Sequence, residues 1–214
     1  MQDYFSRVIA AEKAVFGRPR FGPEGARLLV LKSGDLNLLE MDTLEPALHS
    51  DAYIIFGSSF IKGALCDFLV AHKAFNIHMG TSPYYRGSSC NFWAMYDGNP
   101  DYVGATIHIL NKGLDSGPIL FHALPRAHDV DPFLLGMLAV KAAHTGFIHF
   151  LRTNEIWDME AVAQDRSLEI RYTRNRDFTD EVASDYLKRL PSLESVHTAL
   201  KARDTSSFVH PYIS

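Results

Sequence analysis

The sequence has few of the features that mark secreted, metal-binding or polyanion-binding proteins. Only two cysteines, Cys66 and Cys90, occur among the 214 residues, and their spacing fits neither a metal site nor a redox pair. Lysine and arginine total 21 against 25 acidic residues, so the net charge of −4 gives no global positive field. These absences favour buried free thiols and weigh against a nucleic-acid partner.

An uninterrupted apolar run is also missing at the amino terminus. The first 17 residues carry Asp3, Arg7, Glu12 and Lys13 where a signal peptide needs an apolar core. No later run is expected to reach the length that crosses a membrane. We therefore predict a cytoplasmic protein with no membrane partner.

The apolar residues that are present, 47% of the sequence, suffice for a sizeable core. The length favours one domain with an appendage, and two small domains remain open. Short runs rich in Ile, Val and Phe alternate with segments of helical spacing, which predicts an α/β fold with a mainly parallel sheet covered on both faces. The predicted strands are 27–34, 52–59, 74–80, 103–110 and 118–125.

The helical segments are bounded by turn and capping residues. A first helix is predicted to stop at Gly17, and a long one to run from Asp131, the predicted N-cap, to Arg152, with Pro132 at its first position. Helical spacing also occurs in 61–74 and 88–98. Residues 153–214 are more charged and are predicted to form a helical or irregular tail packed on the domain 1–152.

Polar side chains follow the predicted strands where ligands bind in α/β sheets. Asn76 and His78 end one strand, and the loop after another carries Asp115 between Gly113 and Gly117. An amide can donate to an oxyanion, a contribution of roughly 10²- to 10³-fold in rate. A histidine held by a carboxylate, which raises its pKa, can move protons. This set suits transfer of a carbonyl group onto an amine.

Other chemistries have weaker signals. No serine or cysteine stands at a spacing that indicates a covalent acyl-enzyme, and neither a G-x-G-x-x-G motif nor a P-loop is present. Asn76 and His78 could merely satisfy backbone groups, Asp115 could be a turn residue, and His108 within a strand is more often structural. The remaining histidines show no metal-ligand spacing. The residues alone leave a transferase and a hydrolase open.

Five segments in order resemble the folate-dependent formyltransferase family, which includes the glycinamide ribonucleotide, methionyl-tRNA and amino-sugar formyltransferases. They are NIH, SPYYRG, NFWAMYDG, VGATIHIL and GLDSGPIL, within Asp51 to Pro125, with weaker similarity along the helix from Asp131. The resemblance implies a Rossmann-like sheet of the formyltransferase type, catalytic roles for Asn76, His78 and Asp115, and 10-formyltetrahydrofolate as formyl donor. No metal is implied. The residues implied to contact the folate are Ser59, Phe60, Ile61 and Lys62, and Leu110, Asn111, Lys112, Gly113 and Leu114.

The sequence departs from the family in two places. Gly80, Thr81, Ser82 and Pro83 replace the Ser-Leu-Leu-Pro of many members, and the first strand-helix-strand unit, about 30 residues, is expected to be absent. The strand at 52–57 would then need a new neighbour, because open edges of apolar strands are costly. The segment 27–34, a strand of the tail or a second copy of the chain could supply it, so a homodimer is expected.

The resemblance leaves three functions open. The first is an N-formyltransferase acting on a small amine, with an amino sugar or sugar nucleotide ahead of an amino-acid-derived amine and of tRNA. The others are a 10-formyltetrahydrofolate hydrolase and a folate-binding module with reduced catalysis. The shortened amino terminus is expected to weaken acceptor binding more than folate binding.

Overall fold

A computed structural model describes residues 1–18, 22–127 and 129–214 and has an α/β fold. It contains a five-stranded sheet and a separate two-stranded sheet. The strands are β1 (Ile54–Phe56), β2 (Phe75–His78), β3 (Tyr85–Gly87), β4 (Ala105–Ile109), β5 (Ile119–Leu124), β6 (Arg171–Thr173) and β7 (Tyr212–Ile213). The α-helices are α1 (Gln2–Phe16), α2 (Met41–Leu44), α3 (Gly63–Ala71), α4 (Cys90–Tyr96), α5 (Pro132–Arg152), α6 (Asp180–Lys188) and α7 (Leu193–Lys201).

The main sheet has the strand order β1-β2-β4-β5-β7. Strand β4 runs antiparallel to both β2 and β5, whereas β1 is parallel to β2 and β7 is parallel to β5. The other four strands therefore share one direction, which confirms the predicted mainly parallel sheet. The reversal of β4 was not predicted, and it moves the loop that follows β4 to the opposite end of the sheet.

The two faces of β2 separate the core from the polar residues. Phe75 and Ile77 belong to the apolar cluster that contains Phe147 of α5. Because side chains alternate along a strand, Asn76 and His78 project from the opposite face. The strand therefore anchors the candidate catalytic residues to a packed layer.

Helix α5 begins as the sequence predicts. The Asp131 carboxylate accepts hydrogen bonds from the backbone N–H groups of Phe133 and Leu134, each at 2.9 Å, and Pro132 occupies the first helical position. By length and composition this 21-residue helix, which contains an 18-residue stretch with a mean hydropathy of 1.4, could cross a membrane, contrary to the expectation that no run would. Its apolar face packs on the sheet and on α1.

The predicted strand at 27–34 is wrong. This segment is irregular and exposed, and Val30 is 91% exposed. Among the described residues β1 pairs with β2 alone, so the apolar run 28–31 does not occupy the free edge of β1. Without a packed surface a run of β-formers has little reason to become a strand, because most of its preference for strand comes from packing.

The predicted tail contributes strands to both sheets. Strand β7 extends the main sheet beyond β5, and β6 pairs with β3, a short strand that the sequence did not reveal. The Arg203 guanidinium donates to the carbonyl oxygens of Asp101 and Pro125 at 2.7 and 2.9 Å. The tail is thus tied into the sheet, and the division after Arg152 stays a prediction.

Candidate active site

A cavity of about 560 Å³ opens on the face of the sheet that carries Asn76 and His78. The loop after β1 and the loop after β4 form two of its walls. Gly87 to Ser89, before α4, and Asn175 from the tail form another. The cavity is large enough for a drug-sized ligand and joins apolar walls to a few convergent polar groups, as ligand sites commonly do.

Asp115 lies between the two predicted partners. Its Oδ1 accepts a hydrogen bond from Asn76 Nδ2 at 3.0 Å, and its Oδ2 lies 3.4 Å from His78 Nδ1. The side chain of Asp115 is 18% exposed, twice the 9% of His78, so the carboxylate is the more open to the cavity. The three residues converge as the sequence predicts. However, they meet on the face of the sheet, because the loop after the reversed β4 folds back across it.

His108 is a fourth member of this network. It is the register partner of Asn76 across β2 and β4, so both side chains project from one face. Its Nδ1 donates to the Ile109 carbonyl at 3.0 Å, which leaves Nε2 to accept from Asn76 Nδ2 at 3.1 Å. The sequence offered one signal, the alternation of Thr106 and His108 with the core residue Ile107, but not the pairing that brings His108 to Asn76.

Both N–H bonds of the Asn76 amide are therefore occupied, one by Asp115 and one by His108. The oxyanion role implied by the family resemblance requires one of them to turn to the substrate. The bond to Asp115 is the candidate, since protonation of that carboxylate would weaken it as an acceptor.

Burial dominates the electrostatics of the histidines. It lowers the pKa of His78 below the ordinary value, and the nearby Asp115 carboxylate opposes this shift without overcoming it. Burial also lowers the pKa of His108. The sequence-based expectation that the carboxylate would raise the pKa of His78 is wrong in net direction. The imidazole of His78 is therefore neutral at pH 7 and able to accept a proton.

Tail and loop residues hold Asp115 in place. Gln164 Nε2 donates to the carbonyl oxygens of Asp115 and Gly117 at 2.9 and 2.8 Å. Asp115 adopts a left-handed backbone conformation with φ of 44°, which such hydrogen bonds can maintain. Gly117 leaves no room for a side chain, because a Cβ there would lie 1.7 Å from the Ile109 carbonyl oxygen.

Seven of the nine residues implied to contact folate line the cavity: Ser59, Phe60, Ile61, Leu110, Asn111, Gly113 and Leu114. Lys62 and Lys112 do not line it. The backbone N–H of Lys62 donates to Asn37, and the Lys112 ammonium pairs with Asp67 at 2.6 Å on the surface. The sequence missed Ser88, Ser89 and Asn175, which also line the cavity. In the three described stretches of the chain, no cluster of His, Cys, Asp and Glu could hold a metal ion.

Residues 51–131 match the sequence model of the formyl transferase family. The match covers less than half of the chain and includes Asn76, His78 and Asp115. Methionyl-tRNA formyltransferase from Thermotoga neapolitana is 32% identical over 127 residues, which cover 59% of this chain and 35% of that protein. The chain thus spans about a third of the length of the curated relatives it matches.

Solved structures agree with this fold. A formyltransferase from Anoxybacillus kamchatkensis, in complex with UDP-4,6-dideoxy-4-formamido-L-AltNAc and tetrahydrofolate, aligns with a TM-score of 0.53 over 81% of this chain and 85% of its own, at 18% identity. A 4-N formyltransferase from Francisella tularensis gives 0.51 over 72% and 67%, also at 18% identity. At these identities the likeness establishes the formyltransferase fold of the chain.

Proposed function

We propose that this chain transfers a formyl group from 10-formyltetrahydrofolate to the amine of a small molecule, with an amino sugar or sugar nucleotide as first choice. The observation that carries the proposal is the convergence of Asn76, His78 and Asp115 in one cavity within a formyltransferase segment. The donor, when bound, supplies the formyl group.

The cavity suits a folate. Leu110, Asn111, Gly113 and Leu114 line one wall, and the loop 57–61 lines the other. Phe60 and Leu114 are large apolar side chains that are about half exposed, so they offer apolar surface to a flat aromatic ring. The walls therefore fit the donor that the family resemblance implies.

The residues divide the chemistry according to their exposure and charge. Asp115, the more open group, accepts the proton of the attacking amine, and neutral His78, with its own proton on Nδ1, orients that carboxylate. As Asp115 loses its charge, the N–H of Asn76 turns to the developing oxyanion. When the formyl carbon separates from the donor nitrogen, Asp115 returns its proton to that nitrogen and regains its charge. Proton transfer and oxyanion stabilisation are thus coupled through one carboxylate.

The acceptor is assigned from charge and from structural likeness. The net charge of −4 weighs against a polyanionic tRNA. The Anoxybacillus enzyme was solved with a formylated sugar nucleotide, and this chain covers 85% of that enzyme's length. The curated relatives are methionyl-tRNA formyltransferases, so methionyl-tRNA is the competing acceptor in any test.

An amine screen tests the proposal. Purified protein is incubated with 10-formyltetrahydrofolate and with amino sugars, sugar nucleotides, amino acids or methionyl-tRNA, and release of tetrahydrofolate is followed. We expect release with a small amine, and a loss of roughly 10²-fold or more in His78→Ala and Asn76→Ala. His49→Ala, which removes an exposed histidine outside the cavity, is the matched control. Release without any amine would instead indicate a hydrolase, and folate binding without release a binding module.

We also propose that the chain forms a homodimer and resides in the cytoplasm. Strand β1 pairs on one side only within the described parts of the chain, and Ile54 and Phe56 are 49% and 44% exposed. A second copy at this edge would cover both. The two free, buried thiols are compatible with a reducing compartment.

A further inference from the structure

The ring nitrogen of His78 that faces away from Asp115 lies against a buried thiol. Cys90 Sγ is 3.5 Å from His78 Nε2 and 3.4 Å from the Gly87 carbonyl oxygen. Cys90 is the first residue of α4 and is only 1% exposed. One ring nitrogen of His78 therefore faces the carboxylate of the cavity, and the other faces a side chain that the proposed reaction does not use.

A glycine between β2 and α4 leaves room for this contact. A Cβ on Gly80 would lie 2.3 Å from Cys90 Cβ and 3.1 Å from His78 Nε2. A side chain at position 80 would thus force the thiol and the imidazole apart. The glycine in place of the usual serine of the family pattern is the residue that allows the two groups to meet.

A thiol suits this position because it is both a weak donor and a weak acceptor. When His78 is protonated, Cys90 Sγ can accept from Nε2–H while its own proton points to the Gly87 carbonyl. When His78 is neutral, the S–H can rotate and donate to Nε2. Burial raises the pKa of the Cys90 thiol to about 12, so its proton is retained at neutral pH. Both protonation states of the ring keep a partner without any movement of the ring.

We propose that Cys90 is a positioning residue for His78, which holds the imidazole with Nδ1 toward Asp115 through a rotating S–H group. Its importance for catalysis rests on the proposed formyl transfer, whereas its effect on the ring does not.

Two other charged groups act on the pKa of His78. Asp115 faces Nδ1 and raises the pKa, while Arg86, held by Glu169 at 2.8 Å, lowers it. The charge of protonated His78 in turn lowers the pKa of His108. Loss of the sulfur removes a partner from both forms of the ring and leaves these groups unchanged. The charged ring loses more, because a hydrogen bond donated by a charged group is stronger than one donated by a neutral thiol. The pKa of His78 should then fall further.

Histidine NMR tests the proposal without any assay of activity. The His78 imidazole signal, identified by its loss in His78→Gln, is titrated in the wild-type protein and in Cys90→Ala, Cys90→Ser and Cys66→Ala. We expect the titration of His78 to move to lower pH by about half to one unit in Cys90→Ala, as the loss of one hydrogen bond implies. The hydroxyl of Cys90→Ser should restore it, and Cys66→Ala, which removes the other buried thiol, should leave it unchanged. An unchanged titration in folded Cys90→Ala, or no restoration by serine, would overturn the proposal.

Kinetics then separates this inference from the proposed function. If the wild-type protein transfers formyl groups, Cys90→Ala should lower kcat/KM about threefold to tenfold and displace the acidic limb of its pH profile, with recovery in Cys90→Ser. An identical profile in Cys90→Ala would overturn the catalytic part of the proposal. Absence of transfer in the wild-type protein would contradict the proposed function and leave the NMR result to decide the role of Cys90.

Discussion

Three histidines of this chain are buried, and their burial makes the fold sensitive to acid. His122 is buried in the sheet, donates from Nε2 to the Ser82 carbonyl at 2.7 Å and accepts from the Val209 N–H at Nδ1 at 2.9 Å. Burial lowers its pKa from 6.5 to about 4. His78 and His108 are shifted in the same direction. Protons therefore bind more tightly to the unfolded chain than to the folded one.

The stability of the folded protein should therefore decrease as the pH falls. A histidine whose pKa is lowered by folding contributes its full stability above pH 6.5 and loses it as the pH falls toward its folded pKa. For His122 the window is pH 6.5 to about 4, and the contribution is on the order of 3 kcal/mol. Urea unfolding at pH 7.0, 5.5 and 4.5 should show falling stability across this window. A similar slope in His122→Gln would contradict the assignment, while His49→Ala, at an exposed site, should behave as the wild-type protein does.

At the level of elements, a short 3-10 turn holds one wall of the cavity. Asn37, in the turn Asp35–Leu38, donates from Nδ2 to the Phe60 carbonyl and accepts the Lys62 N–H at Oδ1, both at 2.8 Å. Leu36 beside it packs against the apolar cluster of Ile55 and Ile61. The loop after β1 is therefore fixed from a segment outside the residues that match the family.

This clamp predicts an effect on folate affinity. Asn37→Ala removes both hydrogen bonds and should weaken binding of 5-formyltetrahydrofolate about fivefold to twentyfold, because the loop must then be ordered on binding. Asn37→Asp keeps the acceptor for the Lys62 N–H, so its affinity should lie between those of the wild-type protein and Asn37→Ala. Calorimetry measures both affinities, and thermal unfolding checks that the fold is retained. Equal affinity in all three proteins would show that the clamp is irrelevant to the ligand.

Local signals explain which elements the sequence could predict. Capping by Asp131 and Pro132 is contained in neighbouring residues, so α5 was predicted at its observed bounds, and the candidate catalytic residues stood in a recognisable order. The contacts of Gln164 and Asn175 with the cavity region, and the pairing of β6 with β3, arise from residues distant in sequence. The strand predicted at 27–34 failed for the same reason, since a strand requires a partner that local sequence cannot specify.

At the scale of the whole molecule, the open edge of β1 predicts self-association. Within the described chain the tail strand β7 extends the sheet beyond β5, and the segment 27–34 stays away from β1. An apolar groove of about 330 Å³ runs along β1 and includes Ile54, Leu65 and Leu69. An exposed strand edge beside apolar surface is a template for pairing with another chain. A second copy of the chain can cover this edge if the two β1 strands pair antiparallel about a two-fold axis.

Light scattering after size-exclusion chromatography should therefore give about twice the chain mass of 24.0 kDa. Ile54→Lys places a charge in the groove at the pairing edge and should shift the protein to monomer, because the ammonium would be buried without a partner. Ile213→Lys is the matched control, since Ile213 is a similarly exposed isoleucine, 42% against 49%, in β7 at the opposite edge of the same sheet. A wild-type monomer would contradict the dimer, and dissociation by Ile213→Lys alone would move the interface to the β7 edge. The loop that follows β1 lines the cavity, so dissociation of the dimer by Ile54→Lys should also weaken folate binding. Calorimetry on the same variant measures the folate affinity.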